Sequence, residues 1–409
     1  MNNEDVIGFK LMIKRHVISI VSVIVFCLNT FGENNATCSK IRSGIGLDVR
    51  TSYAFPSYKD DILSSMVDIE SARATKLATS IHLKYSFSFA PDTPQGSFYP
   101  GAWQGIGTSI NFLGNQKGIG TPISVYAFQG APVYKISERI SLYYEWNFGA
   151  SFGWHKCDGE VAYSNLIVGS KVNAYINLGA GLRWKLNDRC AVTAGLDLTH
   201  FSNGNTSFPN PGVNMAGIRI GVTSDIGKES SMPNKAISFD VDTIRRRHKL
   251  QFDVTAYGAW RKRVYRGGDT PVLLHGHYPV VGIDISPMWQ IKKIFRAGCS
   301  VDFQWDQSTD LKRHYAFGST SDDIRFYRPP ILSQICAGIS GRAELVMPIF
   351  SVNVGIGYNL IGPEETRASY QLANLKVRFT ERFFLNIGYQ LLNFQKQNNL
   401  MLGFGYSFR

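Results

Sequence analysis

The last ten residues, Leu400-Met401-Leu402-Gly403-Phe404-Gly405-Tyr406-Ser407-Phe408-Arg409, decide the fold. Successive side chains of a strand point to opposite faces. Leu400, Leu402, Phe404, Tyr406 and Phe408 therefore share one face, and Met401, Gly403, Gly405, Ser407 and Arg409 share the other. One face is apolar and aromatic-rich, and the other carries mainly small or polar side chains. The run is about twice the length of an ordinary strand in a soluble protein.

The same alternation recurs upstream. Leu77, Ile81, Leu83, Tyr85, Phe87 and Phe89 share a parity, as do Leu142, Tyr144, Trp146, Phe148, Phe152 and Trp154. Val172, Ala174, Ile176, Leu178, Leu182 and Trp184 follow, then Leu250, Phe252, Val254, Ala256 and Trp260. Cys299, Val301, Phe303 and Trp305, and then Val352, Val354, Ile356, Tyr358 and Leu360, complete the series. Strands of about ten residues are what a tilted membrane crossing requires. The pattern predicts an all-β, antiparallel up-and-down barrel of 14–16 strands in the bacterial outer membrane. Its last strand is similar to the signal read by the barrel assembly machinery, although Arg409 replaces the usual terminal aromatic.

Sixteen strands are expected to begin near Ser43, Lys76, Trp103, Thr121, Arg139, Lys171, Ala191, Val213, Lys249, Val280, Phe295, Ser333, Phe350, Ala368, Phe383 and Asn399. Ser137-Glu138-Arg139, Asn187-Asp188-Arg189 and Thr380-Glu381-Arg382 read as tight turns after even-numbered strands. Segments 56–75, 155–170, 261–278 and 307–332 read as long loops after odd-numbered ones. Short periplasmic turns and long external loops are the rule for such barrels. The charged connection 226–248 breaks the rule. It leaves open a second arrangement, an eight-stranded barrel followed by a second β-barrel half, with the divisions 40–225 and 249–409.

Composition agrees with this class. Among 409 residues, 18% are charged and 13% aromatic, with 39 glycines. Soluble domains carry about 25% charged residues. The net charge of +12 suits a barrel rim facing anionic headgroups; an exported barrel never meets the chromosome, so nucleic acid is excluded as a partner. Lys14, Arg15 and His16 precede the apolar run 17–28, and residues 1–32 read as a signal peptide cleaved after Gly32, with Met12 as an alternative start. The cysteines that would remain, Cys38, Cys157, Cys190, Cys299 and Cys336, are odd in number and lack metal-ligand spacing. Trp103, Trp146, Trp154, Trp184, Trp260 and Trp305 read as interfacial girdles.

One segment stands apart: Asp197-Leu198-Thr199-His200-Phe201-Ser202-Asn203-Gly204-Asn205, then Pro209-Asn210-Pro211-Gly212-Val213-Asn214. Val192, Ala194, Leu196 and Leu198 set the lipid-facing parity, which His200 and Ser202 continue. On the next strand Ala216, Ile218, Ile220 and Val222 set it, and Asn214 belongs to it. A hairpin brings all three polar residues to the outer surface. Residues two apart on a strand lie about 6.5–7 Å apart, within reach of a Ser/His pair with an orienting third group. Asn203 and the amides around Gly204 are oxyanion candidates. A His and a Ser at a rim are also common as headgroup-level polar residues, and Asn-Gly and Pro-Gly as turn chemistry.

This segment resembles the lipid A 3-O-deacylase family, also known as bacterial acyloxyacyl hydrolases. The likeness rests on His200-Phe201-Ser202-Asn203-Gly204 and Pro209-Asn210-Pro211-Gly212, and covers roughly residues 40–225. It implies an outer-membrane esterase that removes an ester-linked acyl chain from lipid A in lipopolysaccharide. Ser202 would be the nucleophile and His200 the base, with no metal or organic cofactor. The family places a glutamate where this chain has Asn214, which can hold a histidine tautomer without adding charge. Asp197 has the wrong parity to replace it, while Asp158 and Glu160 are loop alternatives. The competing expectation is a non-enzymatic porin or transporter for small or hydrophobic solutes.

Overall fold

The computed structural model describes residues 38–55, 77–91, 93–114, 116–155, 168–207, 210, 212–233, 250–262, 264–265, 272–273, 276–292, 294–316, 324–327, 329–347, 349–380, 382–394 and 396–408. The signal-peptide reading of 1–32, and Asp158 and Glu160, lie outside these residues.

Eight antiparallel strands close the first barrel: β1 (Cys38–Phe55), β2 (Leu77–Phe89), β3 (Trp103–Phe112), β4 (Gly120–Lys135), β5 (Ile140–Trp154), β6 (Val172–Lys185), β7 (Cys190–Ser202) and β8 (Val213–Pro233). Each pairs with its sequence neighbour, and β8 returns to β1 with Leu47 opposite Val222 and Val49 opposite Ile220. The second barrel uses β9 (Leu250–Arg261), β12 (Tyr278–Lys292), β13 (Phe295–Asp306), β16 (Ile335–Val346), β17 (Phe350–Ile361), β18 (Ser369–Arg378), β19 (Phe383–Leu392) and β20 (Lys396–Phe408), with β20 closing on β9. Two small hairpins, β10 (Val264–Tyr265) with β11 (Val272–Leu273) and β14 (Lys312–Ala316) with β15 (Ile324–Tyr327), rise from its loops.

All sixteen anticipated long strands are present, but they close as two rings of eight. The single large ring gives way to the arrangement the charged connection had left open. Residues 226–233 are not part of that connection: they extend β8, where Ser230–Pro233 pair with Cys38–Ile41. The anticipated tight turns are closed by the residues that begin them. Ser137 Oγ accepts from the Ile140 N–H at 3.1 Å, Asn187 Oδ1 from Cys190 at 2.8 Å, and Thr380 Oγ1 from Phe383 at 2.9 Å. These are Ser, Asn and Thr side chains standing in for a backbone carbonyl.

The barrels are polar inside and apolar outside. Asp48, Arg50, Lys84, Glu145 and Arg219 are buried in the first lumen, where Lys84 Nζ reaches Asp48 at 2.7 Å and Glu145 at 3.1 Å. The second lumen holds Lys376 at 2.8 Å from both Asp253 and Glu344. On the outer surface Leu47, Leu83, Leu178, Leu196, Ile218 and Ile220 of the first barrel and Ile283 and Ile356 of the second stand exposed. Soluble monomers rarely expose so continuous an apolar belt, whereas a membrane barrel requires one.

Two tryptophans depart from the expected girdle. Trp154 is buried and donates to Ser151 Oγ at 2.8 Å. Gly153 has φ +88°, and the β4–β5 register slips between Gly120 and Ile123. That bulge inverts the alternation and turns Trp154 into the lumen. Trp103 also points inward, donating to Glu145 at 3.3 Å. Trp184 and Trp260 remain exposed on the outer surface.

The two barrels touch at both ends. At the short-turn end, Trp146 meets Phe350 edge-on with ring centroids 5.1 Å apart, and the Tyr144 hydroxyl lies 3.8 Å from Met347 Sδ. At the long-loop end, Asn205 Nδ2 donates to the Asn398 carbonyl at 3.2 Å, and the Lys262 N–H donates to the Asn205 carbonyl at 3.1 Å.

Candidate active site on the outer barrel wall

The β7–β8 register places His200 directly opposite Asn214, with Ile176 across from His200 on β6. Because Leu198 opposes Ala216 and Leu196 opposes Ile218 on the same face, the two polar residues continue an apolar outer column. His200 Nδ1 and Asn214 Oδ1 are 2.7 Å apart. An amide oxygen only accepts, so this contact places the proton on Nδ1 and leaves the Nε2 lone pair to act as a base.

Ser202 ends β7 two positions beyond His200, on the same face. Gly212, with φ +72°, ties the pair together from the returning chain. A Cβ built on Gly212 would lie 3.3 Å from His200 Cε1, 3.3 Å from Ser202 Cβ and 2.5 Å from the Phe201 carbonyl. The imidazole and the serine thus flank one point that only glycine leaves open. In the sequence Gly212 stands as a turn residue and as the end of the Pro209-Asn210-Pro211-Gly212 likeness; its close approach to His200 and Ser202 is visible only in the fold.

The turn after Ser202 is tightly knit. The Asn203 N–H donates to Asn210 Oδ1 at 3.0 Å, and the Asn203 carbonyl accepts from Thr206 Oγ1 at 2.8 Å. The main-chain amide of Asn203 is therefore engaged within the turn, which leaves the Gly204 N–H as the main-chain oxyanion candidate. Gly204 and Asn205 both adopt left-handed backbone, with φ +63° and +68°.

Other titratable groups are placed elsewhere. Asp197 is buried in the lumen, where it accepts from Asn177 at 3.2 Å, as its parity requires. A serine–histidine hydrogen bond on another strand, Ser80 Oγ to His82 Nε2 at 2.8 Å, has no motif to announce it in the sequence. His82 is buried and its Nδ1 lies 2.9 Å from the Tyr126 hydroxyl. That pair belongs to the lumen network, on the face opposite the one lipid touches. Cys190, Cys299 and Cys336 are unbridged.

A closed, short-turned barrel with an apolar outer belt and filled lumen defines the class: this is an outer-membrane β-barrel. Residues 79–223 match the family Lipid A 3-O-deacylase (PagL), and residues 250–409 match the Acyloxyacyl hydrolase, C-terminal domain. The chain belongs to the lipid A 3-O-deacylase and acyloxyacyl hydrolase family. The second match extends the likeness well beyond the first half of the chain, to which the motif alone had confined it.

No curated protein matches the chain in sequence. Among solved structures it is similar to Neisserial surface protein A, at 8% identity and TM-score 0.30, over 45% of this chain and 97% of that one. It is also similar to the outer membrane enzyme PagL, at 13% identity and TM-score 0.27, over 44% of this chain and 97% of that one. The siderophore receptor PirA from Acinetobacter baumannii gives 11% identity and TM-score 0.18, over 89% and 60%.

Proposed function

We propose that this protein is a lipid A deacylase that hydrolyses an ester-linked acyl chain through Ser202 and His200 at the outer rim of its first barrel. The observation that carries this reading is the lipid-facing contact from His200 Nδ1 to Asn214 Oδ1, two residues from Ser202. Only a membrane lipid presents ester bonds to that wall.

Ser202 Oγ attacks the ester carbonyl while His200 Nε2 takes its proton. The reading assigns the main-chain Gly204 N–H, one residue beyond Asn203, as the donor to the developing oxyanion. Collapse breaks the ester C–O bond, and the sugar alcohol leaves with the proton returned by His200. Water then attacks the acyl-serine, His200 accepts its proton, and the fatty acid departs as Ser202 regains its hydrogen. Asn214 holds the imidazole in the basic tautomer throughout but adds no charge to stabilise an imidazolium.

A porin or transporter is less well supported. Eight-stranded barrels are just wide enough for side chains to fill, and here ion-paired Lys84, Glu145, Arg219, Lys376 and Glu344 occupy the two interiors. The test is fatty-acid release from purified lipid A by the protein reconstituted in lipid vesicles. Release that disappears in Ser202→Ala supports the deacylase; release that persists unchanged in that variant refutes the assigned mechanism.

A further inference from the structure

We infer that the second barrel is a positioning element for the first barrel's Ser202 turn, acting through Asn398 and Leu400 on β20 and Arg261 on β9. The inference rests on the deacylase reading and assigns work to a barrel that contains no part of the Ser202 site.

The contact begins two residues beyond the nucleophile. A Cβ on Gly204 would lie 2.4 Å from Leu400 Cγ, so the turn sits flush against the second barrel's wall. Asn205 then donates through Nδ2 to the Asn398 carbonyl at 3.2 Å and accepts from the Lys262 N–H at 3.1 Å. Both barrel strands that meet at this rim are engaged, β20 through Asn398 and Leu400, and β9 through its continuation at Lys262.

Their anchor is buried. Arg261 Nη1 donates to the same Asn398 carbonyl at 3.3 Å and to Asn398 Oδ1 at 2.6 Å. Arg261 also donates through Nε to Ser308 Oγ at 2.9 Å and pairs with Asp306, and Asn398 Nδ2 donates to Gln390 at 2.9 Å. Arg261, Asp306 and Asn398 are all nearly inaccessible to solvent. A fixed polar network thus ends on a carbonyl that grips the Ser202 turn. A left-handed Gly-Asn pair has many alternative conformations when unsupported. An oxyanion donor must be held near its working position, since a 1 Å displacement costs on the order of 10²-fold in rate.

The test uses the full chain in lipid vesicles with purified lipid A. Asn205→Gly keeps a residue suited to φ +68° and deletes the donor to Asn398. Gly204→Ala drives a methyl into Leu400, and adding Leu400→Ala removes the obstacle. Folded protein is quantified by the heat-sensitive gel mobility of intact barrels, so kcat refers to folded enzyme. The expectation is that Asn205→Gly and Gly204→Ala each lower kcat by about 10-fold or more with KM unchanged, and that Leu400→Ala partly restores Gly204→Ala. Wild-type kcat in both single variants, with Ser202→Ala inactive, overturns the positioning role alone. Full activity in Ser202→Ala overturns the deacylase mechanism and the positioning role with it.

Discussion

His200 Nδ1 lies 2.7 Å from Asn214 Oδ1 across directly opposed positions of β7 and β8. The pairing fixes which nitrogen is basic, yet it does so with a neutral partner. A charge-assisted hydrogen bond is roughly twice as strong as a neutral one. Asn214→Glu is therefore expected to raise kcat by about 10-fold, and Asn214→Ala to lower it by a similar factor. Initial rates of fatty-acid release in vesicles give the order Glu, Asn, Ala. A glutamate variant slower than Ala would remove Asn214 from the orienting role.

Gly212 is the second point at which geometry and sequence meet. At φ +72° an alanine costs about 1–2 kcal/mol in backbone conformation, and its methyl would crowd the Phe201 carbonyl at 2.5 Å. Gly212→Ala is predicted to leave a folded barrel with kcat reduced more than about 10-fold, because the groups it displaces are His200 and Ser202. Unfolding midpoint and kcat measured on the same preparation separate the two effects; a variant with unimpaired kcat contradicts the close approach.

The lumen predicts a separate pattern. Glu145 takes Lys84 and Arg219, each at 3.1 Å, in a buried site. Removing one partner of a buried ion pair typically costs about 3–5 kcal/mol, so Glu145→Ala should fall in that range by urea unfolding in lipid. Ser202→Ala should leave stability within about 0.5 kcal/mol. Similar stability losses in the two variants would contradict the division between a structural lumen and a functional outer wall.

The outer face carries its own test. Leu196 is 67% exposed and opposes Ile218 on the same lipid-facing column as His200. An arginine on the lipid face costs up to about 2–4 kcal/mol near the midplane. Leu196→Arg should reduce folding into vesicles, whereas Arg189→Leu, in a polar turn, should not. Equal folding of wild type and Leu196→Arg would place that column away from lipid.

Much of this molecule was legible in its sequence because the strand alternation has a period of two and lipid enforces it on one face. The strand starts at Trp103, Val213, Phe295, Phe350 and Phe383 coincide with those predicted. The outward phase of His200, Ser202 and Asn214 followed from the parity of Val192, Ala194, Leu196 and Leu198 on β7 and of Ala216, Ile218, Ile220 and Val222 on β8. Alternation failed where it is locally broken: the Gly153 bulge reversed Trp154, which no periodic reading could have anticipated. Closure was legible only as the alternative that the charged connection left open, since which strand meets β1 depends on long-range pairing such as that of Leu47 with Val222. For the same reason the Asn205–Asn398 contact could not be read, its partners being 193 residues apart.

The most direct test is the mass of lipid A extracted from the outer membrane of cells producing the protein, compared with cells producing Ser202→Ala and with cells lacking it. The wild type should yield lipid A lighter by one ester-linked acyl chain, with unmodified mass in the other two. Lipid A of unchanged mass in the presence of correctly folded wild-type protein, or an equal loss with Ser202→Ala, would contradict hydrolysis by Ser202.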